Sequence, residues 1–160
     1  MVGELELAYL AGFLDGEGYI GILRHTHKAS KRGYTYEPIV KVVNTDRRPI
    51  DRYRSRFGGY LSLRHFPGKN NKDAHGWDLK NVKPVLAFLT TIRPYLWLKA
   101  DQADAVIELC SSGYGMWGRK SVPDDECARR EALYDRIRVL NHRGLPPAET
   151  EREDTQTATG

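Results

Sequence analysis

The chain has 160 residues, 40% of them hydrophobic, which is enough for one domain with its own core and a tail. No apolar run approaches the roughly 18 residues that cross a bilayer. Glu4 and Glu6 stand where a secretory signal would carry bases, and two cysteines, Cys110 and Cys127, make neither a disulfide framework nor a four-ligand zinc site. These features argue against a secreted, membrane or zinc-ribbon protein. The expectation is an intracellular protein, of a bacterial or archaeal cytoplasm or an organelle matrix. Net charge is +4, but residues 145–160 hold four acids and one base, which leaves 24 bases and 17 acids, +7, over residues 1–144. A basic body expects an anionic partner.

The first predicted element is a helix over Leu5–Asp15. Ala8, Gly12 and Gly16 fall four apart on one face, and Leu7, Leu10, Phe13 and Leu14 crowd the other sides. Each glycine costs a helix about 1 kcal/mol relative to alanine, so two in one short helix call for close packing of another backbone. Tyr19–His27 and Tyr34–Val43 alternate and read as a hairpin. Asp46 caps a helix that tolerates Pro49 in its first turn and ends at Gly58-Gly59. Tyr60–Phe66 and His75–Lys80 read as a second hairpin, and Asn81 as the cap of a helix to Ile92. Pro94 separates that helix from another over Leu98–Cys110, and a last helix starts near Pro123. The tail from Leu145 holds Pro146-Pro147 and no aromatic residue. The domain is therefore expected over 1–144, with a disordered acidic tail at 145–160.

This order predicts an α+β domain, α-β-β-α-β-β-α with additional C-terminal helices. Its four antiparallel strands would be covered by helices on one face. Alternation puts Leu23, His25, Thr35, Glu37, Ile39, Lys41, Ser62, Arg64, Asp78 and Lys80 on the other face. A long, basic, exposed sheet face suits a nucleic-acid groove. His27, and the loop residues Lys28, Lys31, Arg32, Lys69, Asn70 and Lys72, are candidate DNA contacts. Tyr95, Trp97 and Trp117 read as packing residues, and the cysteines as reduced structural thiols.

The segment Leu10-Ala11-Gly12-Phe13-Leu14-Asp15-Gly16-Glu17-Gly18 resembles the LAGLIDADG motif of homing endonucleases and related maturases. Val42–Arg48 and Pro94–Ala103, with Tyr95-Leu96-Trp97-Leu98-Lys99, resemble the single-motif branch at the expected distances. The resemblance runs to about Gly144 and implies the LAGLIDADG fold, a four-stranded DNA-binding saddle. It also implies a homodimer joined through Ala8, Ala11, Gly12, Asp15 and Gly16 of two first helices. Two Glu17 side chains would then meet at one end of the seam and repel unless cations lie between them. Hard oxygen ligands favour Mg²⁺; Mn²⁺ is expected to substitute, and Ca²⁺ to bind without efficient turnover. The resemblance makes Glu17 the metal ligand, aided by the Gly16 carbonyl. It assigns Asn44 to the water network and Arg48 and Lys99 to solvent and scissile-phosphate charge. Asp15 takes a structural role. The implied function is a free-standing, intron-encoded, site-specific double-strand DNA endonuclease. It would act on a long, pseudo-palindromic target and leave short 3′ overhangs. An RNA maturase and a non-cleaving DNA-binding regulator are the alternatives on the same fold.

Overall fold

Helix α1 (Val2–Glu17) runs directly into strand β1 (Gly18–Thr26). The helix continues two residues past its expected end at Asp15, and Gly18 makes the junction. A Cβ there would lie 2.2 Å from Leu14 Cδ1 and 2.8 Å from Leu14 O. The computed structural model describes residues 2–68, 72–112 and 122–142. The tail at 145–160, Trp117, Lys69 and Asn70 lie outside the described residues.

Strand β2 (Tyr34–Asn44) is followed by α2 (Arg47–Phe57), β3 (Tyr60–Arg64), β4 (Ala74–Lys80) and α3 (Val82–Ile92). A 3₁₀ turn over Arg93–Tyr95 leads to α4 (Ala100–Ser111), and α5 spans Asp124–Asn141. The sheet is antiparallel in the order β1-β2-β4-β3. Pro38 sits in β2 one residue beyond the point where β4 ends opposite Ile39, so its missing N–H costs no bond to that strand. β3 stops at Arg64, short of the expected Phe66.

Asp46 caps α2 as expected, accepting from Arg48 N at 2.9 Å. Asn81 does not cap α3. It makes no side-chain cap bond and instead sits at φ 71°, a left-handed backbone that asparagine tolerates better than most residues. The core lies between the helices and one sheet face. Trp77 stacks on Tyr53 at 4.8 Å and meets the Phe88 edge at 5.4 Å. The buried Tyr53 hydroxyl donates to Leu10 O at 2.5 Å, and burial pushes its acidity well outside the physiological range. Cys110 is buried too, its thiol pushed up to about 12 by desolvation, so it is an inert structural thiol.

Register places every residue expected on the open face there. Lys41 pairs with Asp78 and Asp78 with Tyr60; Ile39 pairs with Lys80, Glu37 with Leu23, and Thr35 with His25. Ile39, however, is 0% exposed. The Tyr19 ring occupies the space above Gly21, directly across the ladder from Ile39. Ile39 therefore supports the saddle surface and is not itself available to a base. β1 ends at Thr26, one residue short of the expected His27, whose backbone N–H donates to Gly33 O at 2.8 Å and closes the hairpin loop. Among the described residues no helix is long and apolar enough to cross a membrane.

Candidate active site and nucleic-acid interface

Sequence order alone brings the end of α1 to the edge of the sheet, because helix and strand share the Glu17–Gly18 bond. Glu17 is exposed and has no hydrogen-bond or ion-pair partner among the described residues. It occupies the carbonyl end of α1, and that helix has no base in its last turn. A carboxylate beside the negative end of a helix dipole is poorly placed unless a cation joins it.

Asp15 organises one side of this end. It is only 9% exposed. Its carboxylate accepts from Trp97 N at 2.8 Å and Lys99 N at 2.9 Å. The Lys99 ammonium in turn donates to the Asp15 carbonyl. Two charge-assisted bonds thus pin the loop before α4 to the last turn of α1, and they hold the Lys99 ammonium on the Asp15 carbonyl, two residues before Glu17. Asp15 also lines the groove along Ala8 and Gly12.

Asn44 arrives from β2. Val42 pairs with Gly18, so Asn44, two residues on, lies at the sheet end that carries Glu17. Its Oδ1 accepts from Asp46 N at 2.8 Å. This is an Asx turn, and it leaves Nδ2 as the unpartnered end of the amide among the described residues. Arg48 follows in the first turn of α2. Its Nε lies 3.0 Å from both oxygens of Asp46 and its Nη2 2.5 Å from Oδ2. The guanidinium holds the Asp46 carboxyl down to about 2. Arg48 is thus engaged with its own helix cap. The Asp46 pairing had no signal beyond the cap pattern, although Asp-x-Arg at a helix start puts both groups on one turn.

The helix face expected to meet another backbone is open. Ala8, Gly12 and Gly16 are exposed, and a Cβ on Gly12 or Gly16 would meet nothing within 4 Å. Ala11 is 0% exposed and belongs to the core, so it leaves the list of interface candidates. Beside the small residues, Leu5 is 76% and Trp97 88% exposed. Trp97 therefore is no packing residue within the chain. With Pro94, Tyr95 and Leu98 it lines a groove along Ala8 and Gly12. Its exposure had a faint sequence signal, an apolar Trp-Leu pair between a proline and a lysine with no helical period.

On the open face, the His25 ring and Glu37 pair at 3.0 Å, and His65 and Asp73 at 2.8 Å beyond the second hairpin. Asp78 Oδ1 is buried without a partner. In the first hairpin loop, Lys31 pairs with Asp124 at 3.1 Å and Arg32 with Glu131 at 3.1 Å. These two cations, expected to meet phosphates, fold down on α5. Lys28, Arg64, Lys72 and Lys80 are basic groups with no such pairing among the described residues.

The donor set at the end of α1 fits a hard divalent cation: one carboxylate without a partner, and main-chain oxygens at a helix C-terminus. Among the described residues no group of three or more His, Cys, Asp or Glu gathers to hold a metal.

No protein-family model matches the chain. The DNA endonuclease I-CreI of Chlamydomonas reinhardtii is 28% identical over 106 residues, 64% of this chain and 61% of that relative, so the match spans less than two thirds of the relative's length. The homing endonuclease I-CvuI, solved in complex with the I-CreI target, has a TM-score of 0.70 at 19% identity, covering 89% of this chain and 86% of the other. The archaeal intron-encoded homing endonuclease I-Vdi141I, solved with DNA, has a TM-score of 0.70 at 14% identity, covering 91% and 89%.

Proposed function

We propose that this chain, which has the fold of the LAGLIDADG homing endonucleases, is a site-specific double-strand DNA endonuclease working as a homodimer. The observation that carries the reading is Glu17: a carboxylate with no partner among the described residues, at the carbonyl end of α1, beside the sheet, with Lys99 held on Asp15 two residues before it.

The open groove along Ala8 and Gly12, rimmed by exposed Leu5 and Trp97, would take a second copy of the same helix. Symmetry then sets two Glu17 carboxylates and two Gly16 carbonyls together, and each sheet lies along the major groove of one half-site. Glu17 and the Gly16 carbonyl would hold Mg²⁺. Bound there, the ion supplies an activated water and neutralises charge on the leaving oxygen. Lys99, held by Asp15, faces the developing negative charge of the phosphate. Arg48 adds a second cation, and Asn44 Nδ2 orders solvent between them. One acid per subunit suits a cut in each strand across the minor groove, leaving short 3′ overhangs on a pseudo-palindromic site.

The test is Glu17→Gln, which removes the charge and keeps the shape. A randomised duplex pool is offered with Mg²⁺, and with Ca²⁺ for binding alone. Cleavage by the wild type, with its loss in Glu17→Gln and retained specific binding, is the expected result. Wild-type cleavage by Glu17→Gln would sink the assignment. Specific binding of duplex without cleavage by either protein points to the regulator, and binding of structured RNA alone to the maturase.

A further inference from the structure

We propose that Asp46 is a positioning residue for the cleavage reaction: its carboxylate fixes the Arg48 guanidinium by the Nε and Nη2 edge and leaves Nη1 for a phosphodiester oxygen. The proposal rests on the endonuclease reading and on the role given there to Arg48.

A helix cap needs one side-chain oxygen on one backbone N–H. Asp46 does more. Its Oδ1 takes both Arg48 N and Nε, at 2.9 and 3.0 Å, and its Oδ2 takes Nε and Nη2, at 3.0 and 2.5 Å. The carboxylate is itself braced from behind, because its own backbone N–H donates to Asn44 Oδ1 at 2.8 Å. The chain Asn44–Asp46–Arg48 thus runs without a gap from the end of β2 to the guanidinium. Arg48 is 89% exposed along its side chain, and without this clamp it would spread over many rotamers. Nη1 makes no hydrogen bond among the described residues.

The clamp lies in the first turn of α2, beside Tyr9 near the middle of α1. Arg52 pairs with Glu6 at 3.3 Å and Tyr53 reaches Leu10 O, while Arg56 lies beside Gly3. The rest of α2 thus runs along Gly3, Glu6 and Leu10 of α1. Leu5, Glu6, Tyr9, Asp46 and Arg48 line one groove between the two helices. A fork-shaped cation held on one edge is preorganised for a phosphate on the other, which a point charge cannot match.

Asp46→Ser separates this role from capping, because serine caps a helix about as well as aspartate and has no carboxylate for Arg48. The substrate is a duplex selected by wild-type cleavage from the randomised pool. Asp46→Ser is expected to melt at the wild-type temperature and to bind that duplex within about twofold. Its single-turnover cleavage rate is expected to fall about tenfold, as for a misaligned catalytic group. Against Arg48→Lys, which keeps the charge and lacks the fork, adding Asp46→Ser is expected to change the rate by less than about twofold, because the two act as one unit. In parallel, nitrogen-15 NMR should show the Arg48 Nε–H exchanging faster in Asp46→Ser. A rate unchanged or raised in Asp46→Ser overturns the proposal, and a raised rate would mean that Asp46 competes with phosphate for Arg48. An equal fall in the Arg48→Lys background also overturns it. If Asp46→Ser melts early, Asp46→Asn keeps cap and volume with one acceptor oxygen, and the same outcomes apply. A wild type that cleaves nothing in the pool overturns the endonuclease reading first and this proposal with it.

Discussion

Asp15→Asn tests the link between the end of α1 and the loop that carries Lys99. The substitution keeps volume and shape. The native carboxylate accepts from Trp97 N at 2.8 Å and from Lys99 N at 2.9 Å, in a residue that is 9% exposed. An asparagine offers one acceptor oxygen and one donor NH₂, so one backbone N–H keeps a weaker neutral bond and the other faces a donor. Exchanging a charge-assisted bond for a neutral one loses about 1 kcal/mol, and stranding a buried N–H costs about 1–3 kcal/mol. The sum is about 2–4 kcal/mol, a drop in melting temperature of roughly 4–16 °C for a chain of this size. Urea unfolding at fixed protein concentration reads it, with the concentration held because a dimer's stability depends on it. Cleavage should also fall, since the freed loop no longer sets Lys99 against the Asp15 carbonyl. A loss below about 0.5 kcal/mol, the range of an ordinary surface substitution, would refute the reasoning.

Gly12→Leu should leave the subunit folded, because a Cβ at Gly12 meets nothing within 4 Å, yet it should shift sedimentation from dimer to monomer; an intact dimer refutes the α1 seam. Lys28→Ala should weaken binding to all duplexes and flatten the salt dependence by about one unit per contact, or two in a symmetric dimer. Lys31→Ala and Arg32→Ala should do less, because Asp124 and Glu131 already take their charges; equal slopes for all three variants, read by fluorescence anisotropy, would contradict this. Asp46 is held down to about 2 by Arg48, so the pairing contributes fully above the unfolded carboxyl value of about 4 and is lost as pH falls from there through about 2. The protection factors of the first turn of α2 against hydrogen exchange should therefore be unchanged from neutral pH down to about 5 and should fall only below about 4; a fall near neutral pH would refute the pairing.

The element order, the strand alternation and the motif around Glu17 were legible in the amino-acid order, because each depends on neighbours a few residues apart. Two glycines at helical spacing announced a face made for close approach, and that face is open in the folded chain. The two-residue period placed ten side chains on the outer sheet face, and the ladder agrees for all of them. What periodicity could not supply is depth. It could not show that Tyr19 curls over Gly21 and that Ile39 is buried on a face otherwise turned to solvent. Nor could it show that Ala11 turns to the core, that Trp97 stays outside it, or that acids about a hundred residues away on α5 neutralise Lys31 and Arg32. Such facts follow from which distant elements meet, and composition and local spacing do not encode that. Motif and period determine which groups are present and on which side; only the packing of α1, α2, α4 and α5 around the sheet decides which of them are already engaged and which stay open to a partner.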